Sequence, residues 1–240
     1  QTPLHEATFS GNLQLLDILV KHGADVNALN RERSTPLLHV SQAGREDVID
    51  WLLEHGAKLD VRNRLNETPL TFPLGNGFLG LVERLWPRVE ALKDRDLREK
   101  YPLHRMAYLG NDQGAAFLLG KGLPIDLRDE SGRTPFQRAA QGGNVDIARR
   151  LLDKGAKVDA PDPGGSTPLH LAVMKGRAEM VRFLLEKGAA PQAKDGQGRT
   201  PLDLAEEYGY PNISEALIKA GAMPKPASET MDVPSLLARP

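Results

Sequence analysis

The stretch "GGSTPLHLAVMKGRAEMVRFLLEKGAA", residues 164–190, decides the architecture. Thr167 suits the cap position of a helix and Pro168 its first turn: a cap oxygen accepts a backbone N–H, and proline has no N–H to leave unpaired there. A short helix follows, and Gly176 ends it with a tight turn. Met180, Val181, Leu184 and Leu185 then recur at helical spacing, so a second helix presents one apolar face. Gly188 stops that helix. One such pair cannot bury its apolar face alone, so it must stack on others.

The same reading recurs along the chain. Threonine-proline stands at residues 2–3, 35–36, 68–69, 134–135, 167–168 and 200–201, and Tyr101-Pro102 fills the remaining slot. Every interval fits a period of 33. One glycine series runs in register through Gly11, Gly44, Gly77, Gly110, Gly143, Gly176 and Gly209. Another runs through Gly23, Gly56, Gly122, Gly155, Gly188 and Gly221, with Val89 in the missing slot. A fixed period of this size signals a solenoid. Units begin near Gln1, Ser34, Glu67, Lys100, Arg133, Ser166 and Arg199. They make residues 1–222 one solenoid domain, with a proline-rich tail over 223–240. Turns such as "DESGRT" and "DGQGRT" lead each unit into the next.

The pattern Gly-x-Thr-Pro-Leu-His-x-Ala, a glycine, then "LL-x-x-Gly-Ala" resembles the ankyrin repeat, and residues 164–190 match it almost throughout. The resemblance covers residues 1–222, with the third unit degenerate. It implies an all-α repeat solenoid of helix-turn-helix units with projecting turn or β-hairpin fingers. It also implies a concave face, built from fingers and first helices, that binds another protein.

Composition narrows the alternatives. The chain carries 31 basic and 32 acidic side chains and a net charge of -1. That balance argues against a nucleic-acid surface, which needs a basic stripe. No apolar run approaches the ~20 residues of a membrane span. There is no cysteine, so no disulfide and no thiolate zinc site. The chain starts at Gln1 inside a structural unit, from which sequence upstream is expected.

His5, His104 and His170 occupy one slot of their units. In the family that histidine ties neighbouring turns together. Helices pack at about 8–10 Å, so His104 and His170, two units apart, should lie roughly 20 Å from each other and cannot share a metal or a proton. His22 and His55 lie near helix C-termini, where a cation favours the dipole, and His39 reads as a packing residue. No adjacent Ser/His/Asp set is present. The glycine-rich "PDPGGS" and "LGKGLP" lack phosphate-loop spacing and sit at repeat turns. We therefore expect no catalytic residue, cofactor or metal.

The last positions of the first helices face solvent on the concave side. There stand Phe9, Tyr108, Leu109, Met174 and Tyr208, and exposed apolar residues with a polar surround are typical binding anchors. Trp51, Phe117 and Phe183 share a slot of the second helix that fills the interior.

The third unit departs from the pattern. Pro73 falls inside its first helix and favours a kink, and Pro87 should end its second helix early. Val89 replaces the glycine, and "RVEALKDRDLREK" (88–100) lacks the turn residues of its neighbours. The segment reads as a helical or irregular finger, with Val89, Leu92 and Leu97 forming an apolar edge and charges such as Arg95 and Arg98 facing solvent. Either it is drift in a weak repeat, or it reshapes the concave face for a partner, using Arg95, Leu97 and Arg98. The tail either caps the last repeat or docks a partner.

These readings point to a non-enzymatic protein-binding module, monomeric when free. The version favoured is a dedicated binder that caps or inhibits a partner enzyme in a bacterium, exported or periplasmic. The alternative is a general scaffold or adaptor, cytoplasmic or host-directed.

Overall fold

A computed structural model describes residues 1–65, 67–90 and 101–224. Among these residues the chain forms fourteen α-helices and no strand. The helices are α1 Pro3–Ser10, α2 Leu13–Lys21, α3 Pro36–Ser41, α4 Glu46–Glu54, α5 Thr71–Gly75, α6 Leu79–Glu90 and α7 Tyr101–Leu109. They continue with α8 Asp112–Gly120, α9 Pro135–Gly142, α10 Val145–Asp153, α11 Pro168–Met174, α12 Ala178–Glu186, α13 Pro201–Glu207 and α14 Pro211–Lys219. Five first helices begin at the proline of a threonine-proline pair. Thr35, Thr134 and Thr200 accept the N–H three residues on through their side chains, at 3.2, 3.3 and 3.1 Å.

Helices this short are marginal alone. Stacking stabilises them. The apolar slot of the first helix runs through Leu4, Leu37, Leu70, Leu103, Phe136, Leu169 and Leu202, all at most 2% exposed. The second-helix slot runs through Leu52, Leu85, Leu118, Leu151, Leu184 and Leu217, all fully buried. Contacts run α7–α9–α11–α13 along the first row and α8–α10–α12–α14 along the second.

The fingers are tight turns built one way. Asn30, Asn63, Asp129, Asp162 and Asp195 each accept, through Oδ1, the N–H groups two and four residues on, at 2.9–3.1 Å. Adjacent fingers are also joined: Arg64 N–H donates to Glu32 O (3.1 Å) and Gly196 N–H to Gly164 O (2.8 Å).

The third unit corrects two expectations. The α6 helix does not end at Pro87 but runs through it. Proline lacks the N–H that would bond the Glu83 carbonyl, and burial of Leu85, Trp86 and Val89, each at most 2% exposed, holds the helix together. Val89 explains the continuation. The stop glycines in its slot have φ between 75° and 97°, a region a β-branched residue avoids. The helix therefore continues, and Val89 enters the core rather than an apolar edge. Pro73 does not kink a full-length helix. Instead α5 starts late, at Thr71, and is only five residues long. Pro73 thus falls in the first turn, where an N–H would have no intrahelical partner.

Candidate functional site

The first helices of the third to fifth units and the finger of the fourth line a cavity of about 310 Å³, with His104, Arg105, Tyr108, Asp129 and Arg138 in its wall. Arg105 and Arg138 occupy one slot in consecutive units. Arg105 is held by Glu67 Oε1 (2.8 Å) and Leu65 O (3.3 Å). Arg138 donates to Asp129 Oδ2 (2.6 Å), Gln141 Oε1 (2.9 Å) and Ser131 Oγ (3.3 Å). Burial pushes the Asp129 carboxyl up. Hydrogen bonds from Arg138 and the Arg133 backbone outweigh it and hold that carboxyl below its ordinary value. The wall is polar, but its charges are already paired.

His104 is 4% exposed. Its Nε2 lies 3.0 Å from Arg133 O and 2.9 Å from Leu127 O. A carbonyl can only accept, so Nε2 carries the proton. Burial lowers its pKa, as it does for His5 and His170. In those two, Nδ1 meets the hydroxyl of Thr2 (2.8 Å) or Thr167 (2.9 Å). In His104, Nδ1 is buried with no partner among the described residues. With one nitrogen committed and the other enclosed, this imidazole is not placed to shuttle protons. The slot does the expected structural work: His5 Nε2 donates to Ser34 O and His170 Nε2 to Arg199 O, each at 3.0 Å. Gln137 fills this slot in the fifth unit and keeps only the local part, accepting from Thr134 N–H (2.8 Å) and donating to Ala160 O of its own unit (2.8 Å).

Tyr108 lies at the edge of the cavity, 43% exposed, beside Leu109 at 56%. Their ridge is fixed from below, because Asn144 Nδ2 donates to Ala107 O (2.7 Å) and Tyr108 O (2.8 Å). Asn111 reaches Gly75 O (2.8 Å) and Arg45 reaches Ser10 O (3.2 Å) from the same slot of their units. The sequence reading missed these clamps; it found the turns at "DESGRT" and "DGQGRT" but not that their first residue is a slot of its own. The finger slot carries its own 33-residue period, which continues in the sequence through Asp96.

The other candidates do not converge on this cavity. Phe9 is exposed and stacks on His39 with ring centroids 6.0 Å apart, three units away. Tyr208 is exposed three units the other way, 6.1 Å from the Tyr210 ring. Met174 is half-buried and packs against the core, not standing free as its slot suggested. Arg95, Leu97 and Arg98, with the rest of 91–100, lie outside the described residues, as does the tail from 225.

Residues 1–63 and 74–162 match the family profile for ankyrin repeats in three copies, and residues 151–205 match that for ankyrin repeats in many copies. The chain belongs to the ankyrin repeat family. No curated protein sequence matches it with significance. Among solved structures it is similar to the ankyrin repeat domain of human ASB11. The identity is 27% over 93% of this chain and 100% of that one, with a TM-score of 0.71. It is also similar to the ankyrin repeat domain of Bcl-3, a member of the IkappaB family. There the identity is 26% over 91% and 98% of the two chains, with a TM-score of 0.68. Ankyrin repeat domains bind other proteins, and this chain is an interaction module of that kind.

Proposed function

We propose that the chain, with residues 1–222 acting as one continuous solenoid, grips a partner enzyme through its concave face and caps it. The observation that carries this reading is Tyr108 and Leu109, an exposed apolar pair on a clamped ridge beside a polar cavity of about 310 Å³. An apolar centre with a polar rim is the usual anatomy of an interface. By sequence register the finger bearing Arg95, Leu97 and Arg98 belongs to the same surface. Phe9 and Tyr208 extend it toward the two ends, and Met174 contributes less because it is already half-buried.

The test compares capture of partner proteins by the wild-type chain, Tyr108→Ala and Leu109→Ala, followed by the activity of the captured enzyme with and without the chain. Truncating a buried aromatic anchor commonly costs ~2 kcal/mol. Tyr108→Ala should therefore weaken binding at least tenfold, about 1.4 kcal/mol. Wild-type affinity in both variants would move the contact surface elsewhere. Unchanged enzyme activity in the complex would leave binding without capping.

A further inference from the structure

The two ends of the stack differ in chemistry. Within it, the slot of Leu15 continues through Val48, Leu81, Gly114, Ile147, Met180 and Ile213; Gly114 is buried and the five side chains are at most 3% exposed. Leu15 itself is 39% exposed. The slot of Ile18 is more telling, because its later occupants reach back to the preceding unit. Trp51 Nε1 donates to Asp17 (2.9 Å), Arg84 pairs with Glu46 (2.7 Å) and with Asp50, and Arg150 pairs with Asp112 (2.7 Å). Ile18 is 54% exposed, and Leu19 is half-buried where its six equivalents are fully buried. The opposite end is closed differently. The slot that carries Leu16, Ile49, Val82, Ala115, Ala148 and Val181 ends in Ser214, beside the Glu215–Lys219 ion pair, with Ile218 the single exposed aliphatic residue of α14. A terminal repeat needs a polar outer face for solubility. The last unit has one and the first does not.

We infer that the face of α2 bearing Leu15, Ile18 and Leu19 is an inter-repeat interface, and that its occupant is one further repeat of the same kind, carried on the same polypeptide ahead of Gln1. The interface is continuous in slot with those inside the stack, and the surface that fits it is the apolar part of the one each unit offers the next: a small or aliphatic side chain in the Leu16 slot, with an apolar neighbour facing Ile18, which has no donor for an acidic one. Gln1 is positioned to receive that repeat, as Ser34 and Arg199 receive the imidazoles of the units before them.

The coding sequence ahead of Gln1 tests this directly. Asn30, Gly23, Leu19 and Val20 precede Ser34 at the same intervals at which Asp162, Gly155, Leu151 and Leu152 precede Ser166. The expected reading frame carries Asn or Asp, glycine and an aliphatic pair at those intervals before Gln1; a stop codon or any other pattern there overturns the inference. A physical test uses the chain with a copy of residues 133–165 fused in register before Gln1. Amide exchange over 13–21 should slow at least tenfold, and Leu15→Glu in the fused chain should remove the gain. Unchanged exchange overturns the inference. So does a dimer of the unfused chain that Ile18→Glu dissociates, since a second copy would then be the occupant.

Discussion

Replacing His170 by glutamine and by alanine separates hydrogen bonding from mere volume at the joint between the sixth and seventh units. His170 is fully buried. Its Nδ1 meets Thr167 Oγ1 (2.9 Å) and the Thr167 N–H (3.2 Å), and its Nε2 donates to Arg199 O (3.0 Å), the residue before the cap of α13. Alanine removes these bonds, each about 1 kcal/mol net, and leaves the Thr167 N–H without its partner, while the Arg199 carbonyl keeps the Asp195 N–H (2.9 Å). The ring's space also becomes a cavity. A loss of about 3 kcal/mol follows. Glutamine can reproduce the cap end and donate within its own unit, as Gln137 does to Ala160 O, but not the bond to Arg199 O, so His170→Gln should cost about 1–2 kcal/mol, less than alanine. Urea unfolding followed by circular dichroism measures both. Because the last unit has one neighbour and stability along a solenoid is local, the alanine variant should also exchange amides faster over α13 and α14 than over α9 and α10. Equal losses for glutamine and alanine would refute the hydrogen-bonding account, and an unchanged α13–α14 would refute the claim that this imidazole bridges repeats.

Stability should also fall with acid. Burial holds the pKa values of His5, His104 and His170 below the ordinary value of 6.5, so the unfolded chain binds more protons; their contribution is complete above about 6.5 and is lost as pH drops through the lower folded values, which a urea midpoint series from pH 7.5 to 5 will show. Arg33→Gly should raise stability by about 0.5–1 kcal/mol, since Arg33 holds φ 60° in the finger position that Gly132, Gly165 and Gly198 fill elsewhere; an unchanged or lower urea midpoint would count against left-handed strain there. Gly165→Ala should cost about 2 kcal/mol and clearly more than Gly188→Ala: both have positive φ, but an added Cβ at 165 meets Gly196 N at 2.6 Å, whereas at 188 it meets nothing within 4 Å. Equal midpoints for those two variants would mean that the finger-to-finger contact yields freely.

What the sequence determined by itself was everything local. Threonine-proline pairs mark the helix start in five units because a cap oxygen and a missing N–H suit that position; at Thr68-Pro69 the helix starts two residues later. Glycines mark stops because positive φ is a backbone property, and the 33-residue period follows from repeating both. The histidine slot was legible because its partners, the cap threonine of its own unit and the first residue of the next, recur with the repeat. Tertiary structure decided what each slot does in its own surroundings. Whether Pro87 stops a helix depended on the core that holds Leu85, Trp86 and Val89. Met174 and Tyr108 share a slot, yet one is half-buried and the other exposed, because different neighbours stand beside them. His104 has the same ring as His170 but, among the described residues, no partner for Nδ1. Leu15 repeats a core residue and lies open, since burial belongs to a pair of surfaces and the pattern of one chain segment specifies only one of them.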